Sequence, residues 1–116
     1  MKFAAASLNA KPNSSGPVRV VRRPCFLDDL SDAYAWIAPE SEASAERLLR
    51  SVDLTIERLR RQPNIGARRD VLASGLFSIR ARPFRHLIFY RIEGDRIILI
   101  RLLHGARMLE KQDYDD

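Results

Sequence analysis

The side chains of this 116-residue chain that could take part in chemistry are concentrated in its C-terminal third, where arginines surround a histidine. Between Leu76 and Arg107 there are seven arginines and only two acidic residues, so this stretch carries a net charge of +5, which is also that of the whole chain. Guanidinium groups bind carboxylates and phosphates in a bidentate manner. A base-composition bias of the genome would also produce many arginines, so their positions are more informative than their number.

Several of these arginines lie at the ends of predicted strands, close to a histidine. Arg80 and Arg82 share one face of a strand by period 2, and Arg101 interrupts an otherwise apolar strand. Because an unpaired guanidinium is costly to bury, Arg101 must form an ion pair or face a groove. For a single arginine an ion pair or a surface-lying stem is the simpler interpretation, but the clustering favours a function for the set. The predicted partner-binding residues are Arg80, Arg82, Arg101, His104, Arg107 and Trp36.

His104 is the one side chain of the predicted sheet suited to general acid–base catalysis, because the pKa of histidine lies near neutrality. A hydrogen-bonded histidine at a strand end, without a catalytic role, explains it equally well. Trp36 lies off the main apolar stripe of its helix. It is therefore either a half-covered packing residue or part of a surface that a partner buries. Tyr90 is predicted to be a core residue, and Cys25 to be structural or merely exposed.

The composition excludes several kinds of site. A single cysteine cannot form an intrachain disulfide or a zinc site built from several thiolates, and it fits a reducing cytoplasm. With only His86 and His104 as histidines, and no clustered carboxylates, no metal site or cofactor is expected. The chain has no glycine-rich phosphate loop, nucleophile elbow or helical HExxH motif. Its apolar runs are too short to span a membrane.

Turn-forming residues divide the chain into three parts. Residues 1–17 end in a cluster of proline, glycine and serine and predict a flexible arm. Residues 18–107 have the length and the alternating patterns of one domain. Residues 108–116 are polar and predict a tail that frays.

The patterns within the domain predict two helices and four strands. The predicted elements are strand 18–22, a helix from Pro24 to about Ala38, a helix capped by Ser41 that ends near Gln62, and strands 76–82, 86–92 and 96–103. Gly94-Asp95 predicts a tight hairpin turn, and the last strand is apolar on both faces, which indicates a central position. The order β-α-α-β-β-β predicts an α+β fold in which a helical hairpin packs on a small, largely antiparallel sheet.

Four stretches of the chain are similar to one known family. They are the first-helix segments Leu27–Leu30 and Ala35–Ala38, the helix end Leu59–Gly66, the strand Arg85–Ile92, and the strand end Ile100–Arg107 with its sequence IRLLHGAR. Because of these four stretches, the segment from Val18 to Arg107 resembles the RelE/ParE superfamily of type II toxin–antitoxin toxins, and the ParE branch in particular. The resemblance implies the RelE/ParE-like fold and a cytoplasmic toxin that a cognate ParD-like antitoxin neutralises within a hetero-oligomer.

The resemblance leaves three functions open. ParE-like toxins are associated with poisoning DNA gyrase, whereas RelE-like relatives cut messenger RNA on the ribosome with lysines, arginines, a glutamate or a terminal tyrosine. This chain has no lysine between Lys11 and Lys111 and no glutamate from Arg58 through Ile92, so non-catalytic gyrase inhibition is preferred. An endoribonuclease would depend on the set formed by His104, Arg80, Arg82 and Arg101.

Two departures from the ParE pattern introduce the third possibility. Phe77 follows Gly75-Leu76 where the pattern commonly has an arginine, and Met108 follows Arg107 where it often has an aspartate. The chain could therefore be an inactive module that only binds an antitoxin. All three functions predict an apolar groove, left by the helix hairpin and the sheet, that receives an amphipathic antitoxin segment. Acidic antitoxin residues would then pair with the sheet arginines.

Overall fold

Two helices lie across one face of a five-stranded sheet in the computed structural model, which describes residues 18–106 and 112–114. The predicted arm, residues 1–17, and the candidate residue Arg107 lie outside the described residues. The elements in chain order are β1 (Arg19–Arg22), α1 (Pro24–Ile37), α2 (Glu42–Arg61), β2 (Ala67–Arg68), β3 (Phe77–Arg80), β4 (His86–Glu93) and β5 (Arg96–His104). A 3-10 turn, Pro63–Ile65, follows α2. The predicted α+β architecture is confirmed.

The helices begin and end where the sequence predicts. Pro24 occupies the first turn of α1, where its missing N–H costs nothing. Ser41 caps α2, since its side-chain oxygen accepts a hydrogen bond from the backbone N–H of Ser44 at 3.1 Å. Both helices turn their apolar stripes toward the sheet. The buried residues of the stripes are Phe26, Ala45, Leu48, Val52, Ile56 and Leu59.

The sheet has the strand order β1-β5-β4-β3-β2 and is mostly antiparallel, as predicted. The exception is β1, which pairs with β5 in parallel. The sequence analysis missed β2, because two exposed residues give no hydrophobic period. The prediction that Arg82 lies in β3 was also wrong. The strand ends at Arg80 and the chain turns before β4, so Arg80 and Arg82 do not share a strand face.

The strand β5 is buried on both sides, which confirms its predicted central position. Ile97 and Leu99 contact the core under the helices, whereas Ile98 and Ile100 contact a second apolar cluster on the opposite face. That cluster also contains Leu72, Leu76, Phe89 and Tyr114. Each face of the sheet therefore has its own cover, one made of helices and the other of irregular chain.

The prediction that the C-terminal tail frays was wrong for residues 112–114. Tyr114 is only 5% exposed, and its ring centroid lies 5.0 Å from that of Phe89. The Arg91 guanidinium donates a hydrogen bond to the carbonyl oxygen of Tyr114 at 2.8 Å. The tail is mostly polar but contains one aromatic residue, Tyr114. Burial of its ring offsets the conformational entropy that is lost when the segment becomes ordered.

Tyr90 is a core residue, as predicted, and it joins the sheet to the turn after α2. Its hydroxyl donates to the carbonyl oxygen of Pro63 at 2.8 Å and accepts from the backbone N–H of Gly66 at 3.0 Å. Burial raises the pKa of Tyr90, so the hydroxyl stays neutral and can donate. A Cβ on Gly66 would lie 2.7 Å from the carbonyl oxygen of Ser78, so this close approach requires glycine.

Candidate functional site

Arg101 forms an ion pair with Asp29 at the edge of the sheet, next to α1. Beyond Leu99, β5 extends past the end of its partner β1, so its backbone N–H groups on this edge need other acceptors. Asp29 supplies one: its Oδ2 accepts from Leu102 N–H at 3.0 Å and from Arg101 Nε at 2.7 Å. Its Oδ1 accepts from Arg101 Nη2 at 2.9 Å. The hydrogen bonds that the Arg101 guanidinium donates to Asp29 are the main cause that raises the pKa of Arg101.

A β-bulge places Arg101 on the sheet face opposite the helices, and from there its side chain reaches Asp29 around the edge of β5. Phe89 pairs with Arg101 and Tyr90 pairs with Leu99, so Ile100 is an extra residue in β5. Arg101 therefore satisfies the first of the two predicted alternatives, an ion pair. Asp29 was not among the predicted site residues. The sequence does show an acidic residue in the first helix and a lone arginine in an apolar strand. Because 72 residues separate them, no local pattern predicts that they form a pair.

The other predicted arginines lie apart from this ion pair. Arg80 donates through Nε to the carbonyl oxygen of Phe84 at 2.7 Å, and so braces the turn before β4. Arg82 is exposed within that turn. Arg107 lies outside the described residues. The sheet arginines therefore do not form one continuous guanidinium cluster among residues 18–106.

His104 pairs across the sheet with His86, at the shared end of β4 and β5. Their ring centroids lie 5.3 Å apart in an edge-to-face arrangement. Nδ1 of the exposed His104 accepts a hydrogen bond from the backbone N–H of Ala106 at 3.1 Å, so the neutral ring carries its proton on Nε2. Nδ1 of the half-buried His86 has no hydrogen-bond partner in the part of the chain that the structure describes. Burial, and secondarily the charge of His104, lowers the pKa of His86.

Two open clefts of different chemistry flank His104. The larger, which we call the α1 cleft, has a volume of about 470 Å³ and lies between α1 and the strand ends. Its lining residues are Asp29, Asp32, Ala33, Trp36, His86, Leu102, Leu103 and His104. The smaller, which we call the basic cleft, has a volume of about 280 Å³. Its lining residues are Arg80, Arg85, Leu87, His104, Gly105 and Ala106.

The clefts bring together some of the predicted site residues and separate others. Trp36, 84% exposed, shares the α1 cleft with His104, and Arg80 shares the basic cleft with it. Arg82 lines neither of these two clefts. The sequence analysis did not include Asp32, Arg85 or His86 in the site. Their proximity depends on the packing of α1 against the ends of the strands, which no local pattern encodes.

An apolar groove also runs along the outer side of the two helices. Leu27, Leu30, Tyr34 and Leu49 line it, and its volume is about 480 Å³. Leu27 is 47% exposed there, although its helical position predicts a place on the apolar face of α1. The Tyr34 hydroxyl donates to the Glu46 carboxylate at 2.8 Å and closes one side of the groove.

The family model described as "ParE toxin of type II toxin-antitoxin system, parDE" matches residues 20–109, which is well over half of the chain. The chain belongs to the ParE toxin family. It is therefore a type II toxin–antitoxin toxin of the RelE/ParE superfamily, as the strand ends indicated. No curated protein sequence matches it.

Solved structures share the fold of this ParE-family toxin. A chain of the "Chromosomal ParDE TA system from P. aeruginosa" superposes with a TM-score of 0.64 at 16% identity, covering 75% of this chain and 95% of the other. The "YoeB/ParE toxin from Agrobacterium tumefaciens" superposes with a TM-score of 0.52 at 20% identity, covering 74% and 97%. At these identities the superpositions establish the fold alone.

No helix among the described residues is both long and apolar enough to cross a membrane. Within the same residues, no group of three or more histidine, cysteine or acidic side chains could hold a metal ion.

The lowered pKa of His86 predicts that acid destabilises the toxin. The unfolded chain takes up a proton on this histidine near pH 6.5, whereas the folded chain resists until a lower pH. The free energy of unfolding should therefore fall as the pH drops below about 6.5. Urea unfolding of wild type and His86→Gln between pH 8 and pH 5 measures this, and the slope should be shallower in the variant. At pH 8 the histidine of wild type and the glutamine of the variant are both neutral. The difference between their free energies of unfolding at this pH therefore measures only the loss of packing. Parallel pH profiles would contradict the prediction.

Proposed function

We propose that this toxin inhibits DNA gyrase by protein–protein contact, without catalysis, and that a cognate antitoxin neutralises it. The supporting observation is that two of the three arginines a nuclease would need are held by contacts within the protein. Arg101 is bound to Asp29, and Arg80 to the carbonyl oxygen of Phe84. The Asp29 carboxylate already neutralises Arg101, which weakens the attraction of this guanidinium for a transition-state phosphate, and Arg80 has part of its hydrogen-bond donors committed to the turn.

The acid–base inventory supports the same proposal. Cleavage of RNA by its own 2′-hydroxyl requires a base for that hydroxyl and an acid for the leaving oxygen. In the basic cleft, His104 is the one described imidazole, and a guanidinium group such as that of Arg80 or Arg85 stays protonated and can serve in neither role. The described cleft therefore supplies one of the two proton-transfer groups.

The antitoxin partner is proposed from the family and from the helix hairpin. The "Chromosomal ParDE TA system from P. aeruginosa" pairs a toxin with an antitoxin, and the fold is shared. The apolar groove between α1 and α2 fits the apolar face of an amphipathic segment. Exposed arginines such as Arg82 and Arg85 would attract acidic residues of that antitoxin and assist its association. The complex would be a hetero-oligomer in the cytoplasm.

A ribosome-dependent endoribonuclease is the second candidate, and the basic cleft is the observation that favours it. His104 is exposed there beside Arg80 and Arg85, so a phosphate could approach the imidazole. In this alternative His104 would be the acid or base, and the arginines would bind the RNA backbone.

One pair of assays with one variant separates the candidates. Purified toxin should inhibit gyrase supercoiling increasingly with its ratio to gyrase, and His104→Gln should inhibit equally, because contact needs no proton transfer. After induction in cells, primer extension should find transcripts without new ends. Supercoiling that is unaffected at any ratio refutes the gyrase proposal. New transcript ends that disappear with His104→Gln would establish the nuclease, and normal growth on overexpression would indicate an inactive antitoxin-binding module.

A further inference from the structure

The α1 cleft has a charge opposite to that of the chain as a whole. The chain carries a net charge of +5, yet two aspartates and no described lysine or arginine line this cleft. The carboxylate of Asp29 is already bound to Arg101. Asp32 is exposed and forms no hydrogen bond or ion pair with any residue that the structure describes. The cleft therefore offers one unoccupied carboxylate to a ligand and repels phosphates.

Trp36 lies one helical turn after Asp32, on the same side of α1. Its side chain is 84% exposed, which is unusual for the largest apolar side chain. The face of an indole ring attracts cations, and the planar guanidinium also stacks on it. A carboxylate and an indole spaced by one turn can therefore contact the edge and the face of the same planar cation.

The remaining walls suit the stem of such a side chain. Leu102 and Leu103 supply apolar surface at the inner end of the cleft, where an aliphatic chain can lie. His86 is neutral at physiological pH, since burial lowers its pKa, and it does not repel a positive charge. The cleft thus combines an apolar interior with an acidic and aromatic mouth.

We infer that the α1 cleft binds an arginine side chain that a protein partner presents, with Asp32 as the ion-pair acceptor and Trp36 stacked on the guanidinium group. The site is separate from the basic cleft and from the groove between the helices. It does not depend on whether the toxin acts on gyrase or on RNA. The partner would therefore contribute a basic residue at this cleft, whereas its other contacts with this basic protein would be made by acidic residues.

The single tryptophan of the chain makes this inference directly measurable. Full-length toxin is titrated with N-acetyl-arginine amide while the fluorescence of Trp36 is followed. The fluorescence should change in a saturable manner. N-acetyl-citrulline amide, in which a neutral urea replaces the guanidinium, should produce no saturable change. Asp32→Asn should weaken the binding of the arginine compound by about fivefold. The matched control Asp53→Asn removes the same charge from an exposed position on α2 and should bind as wild type does.

Three results would overturn the inference. Equal responses to the arginine and citrulline compounds would exclude recognition of the charge. An unchanged affinity in Asp32→Asn would exclude the ion pair. Self-association in sedimentation that Asp32→Asn abolishes would assign the cleft to a second copy of the chain instead of a different partner.

Discussion

Replacing Asp29 with alanine is expected to lower the free energy of unfolding by about 3 kcal/mol, because it leaves a largely buried charge without its partner. The side chains of Arg101 and Asp29 are only 14% and 13% exposed, so water cannot fully replace the lost carboxylate. The substitution also removes the acceptor of Leu102 N–H, a backbone group at the edge of β5. Urea unfolding followed by circular dichroism measures the change. The midpoint urea concentration should fall, while the m-value, the dependence of the free energy on urea, should stay the same.

Two further variants identify the cause of this loss. Asp29→Asn keeps a carbonyl oxygen for Leu102 N–H and should lose less stability than Asp29→Ala. Asp28→Ala removes an exposed carboxylate from the neighbouring position, and its effect should stay within about 0.5 kcal/mol. In a double-mutant cycle, Asp29→Ala with Arg101→Ala should cost less than the two single changes added together. Strict additivity would mean that the two side chains do not stabilise the fold as a pair.

Replacing Tyr114 with alanine is the second change with a large expected effect, a loss of about 3 kcal/mol. Its ring closes the apolar cluster on the sheet face that the helices do not cover, in contact with Phe89. Without that ring, the apolar surface of Phe89, Ile98 and Ile100 has less cover and is more exposed to water. Thermal or urea unfolding measures the loss.

Tyr114→Phe is the matched control, and it should retain or slightly increase stability. The Tyr114 hydroxyl is buried and has no hydrogen-bond partner among the described residues, so its removal ends an uncompensated desolvation cost. Burial also raises the pKa of Tyr114, in keeping with an apolar environment for the hydroxyl. Wild-type stability in Tyr114→Ala would mean that residues 112–114 do not cover the sheet in solution. A loss in Tyr114→Phe equal to that in Tyr114→Ala would mean that the hydroxyl has a partner.

The clefts at the end of the sheet divide the predicted site residues by charge. His104 separates a basic cleft from an acidic and aromatic one, so one toxin offers two different charges to its partners within a short distance. Electrostatic complementarity of this kind contributes more to specificity and to the rate of association than to affinity.

The amino-acid sequence by itself determined the helical hairpin and the order of the main strands. Prolines and the Ser41 cap determine where the helices begin and end, and Gly94 supplies the positive φ that the β4–β5 turn needs. The apolar residues of β5, present on both of its faces, were enough to predict a central strand. These features depend on neighbours a few residues away, and so local patterns encode them.

Only the tertiary structure decided which charged groups are available to a partner. Arg101 is bound to Asp29 because β5 extends beyond the end of β1, which leaves an open edge of the sheet next to α1 where the two side chains meet. The tail residue Tyr114 is buried because the sheet has a second apolar face to cover. Such contacts join residues far apart in the chain, and their formation depends on the packing of whole elements. The sequence therefore predicts where arginines are concentrated, but the packing of the elements determines which of them remain free to bind.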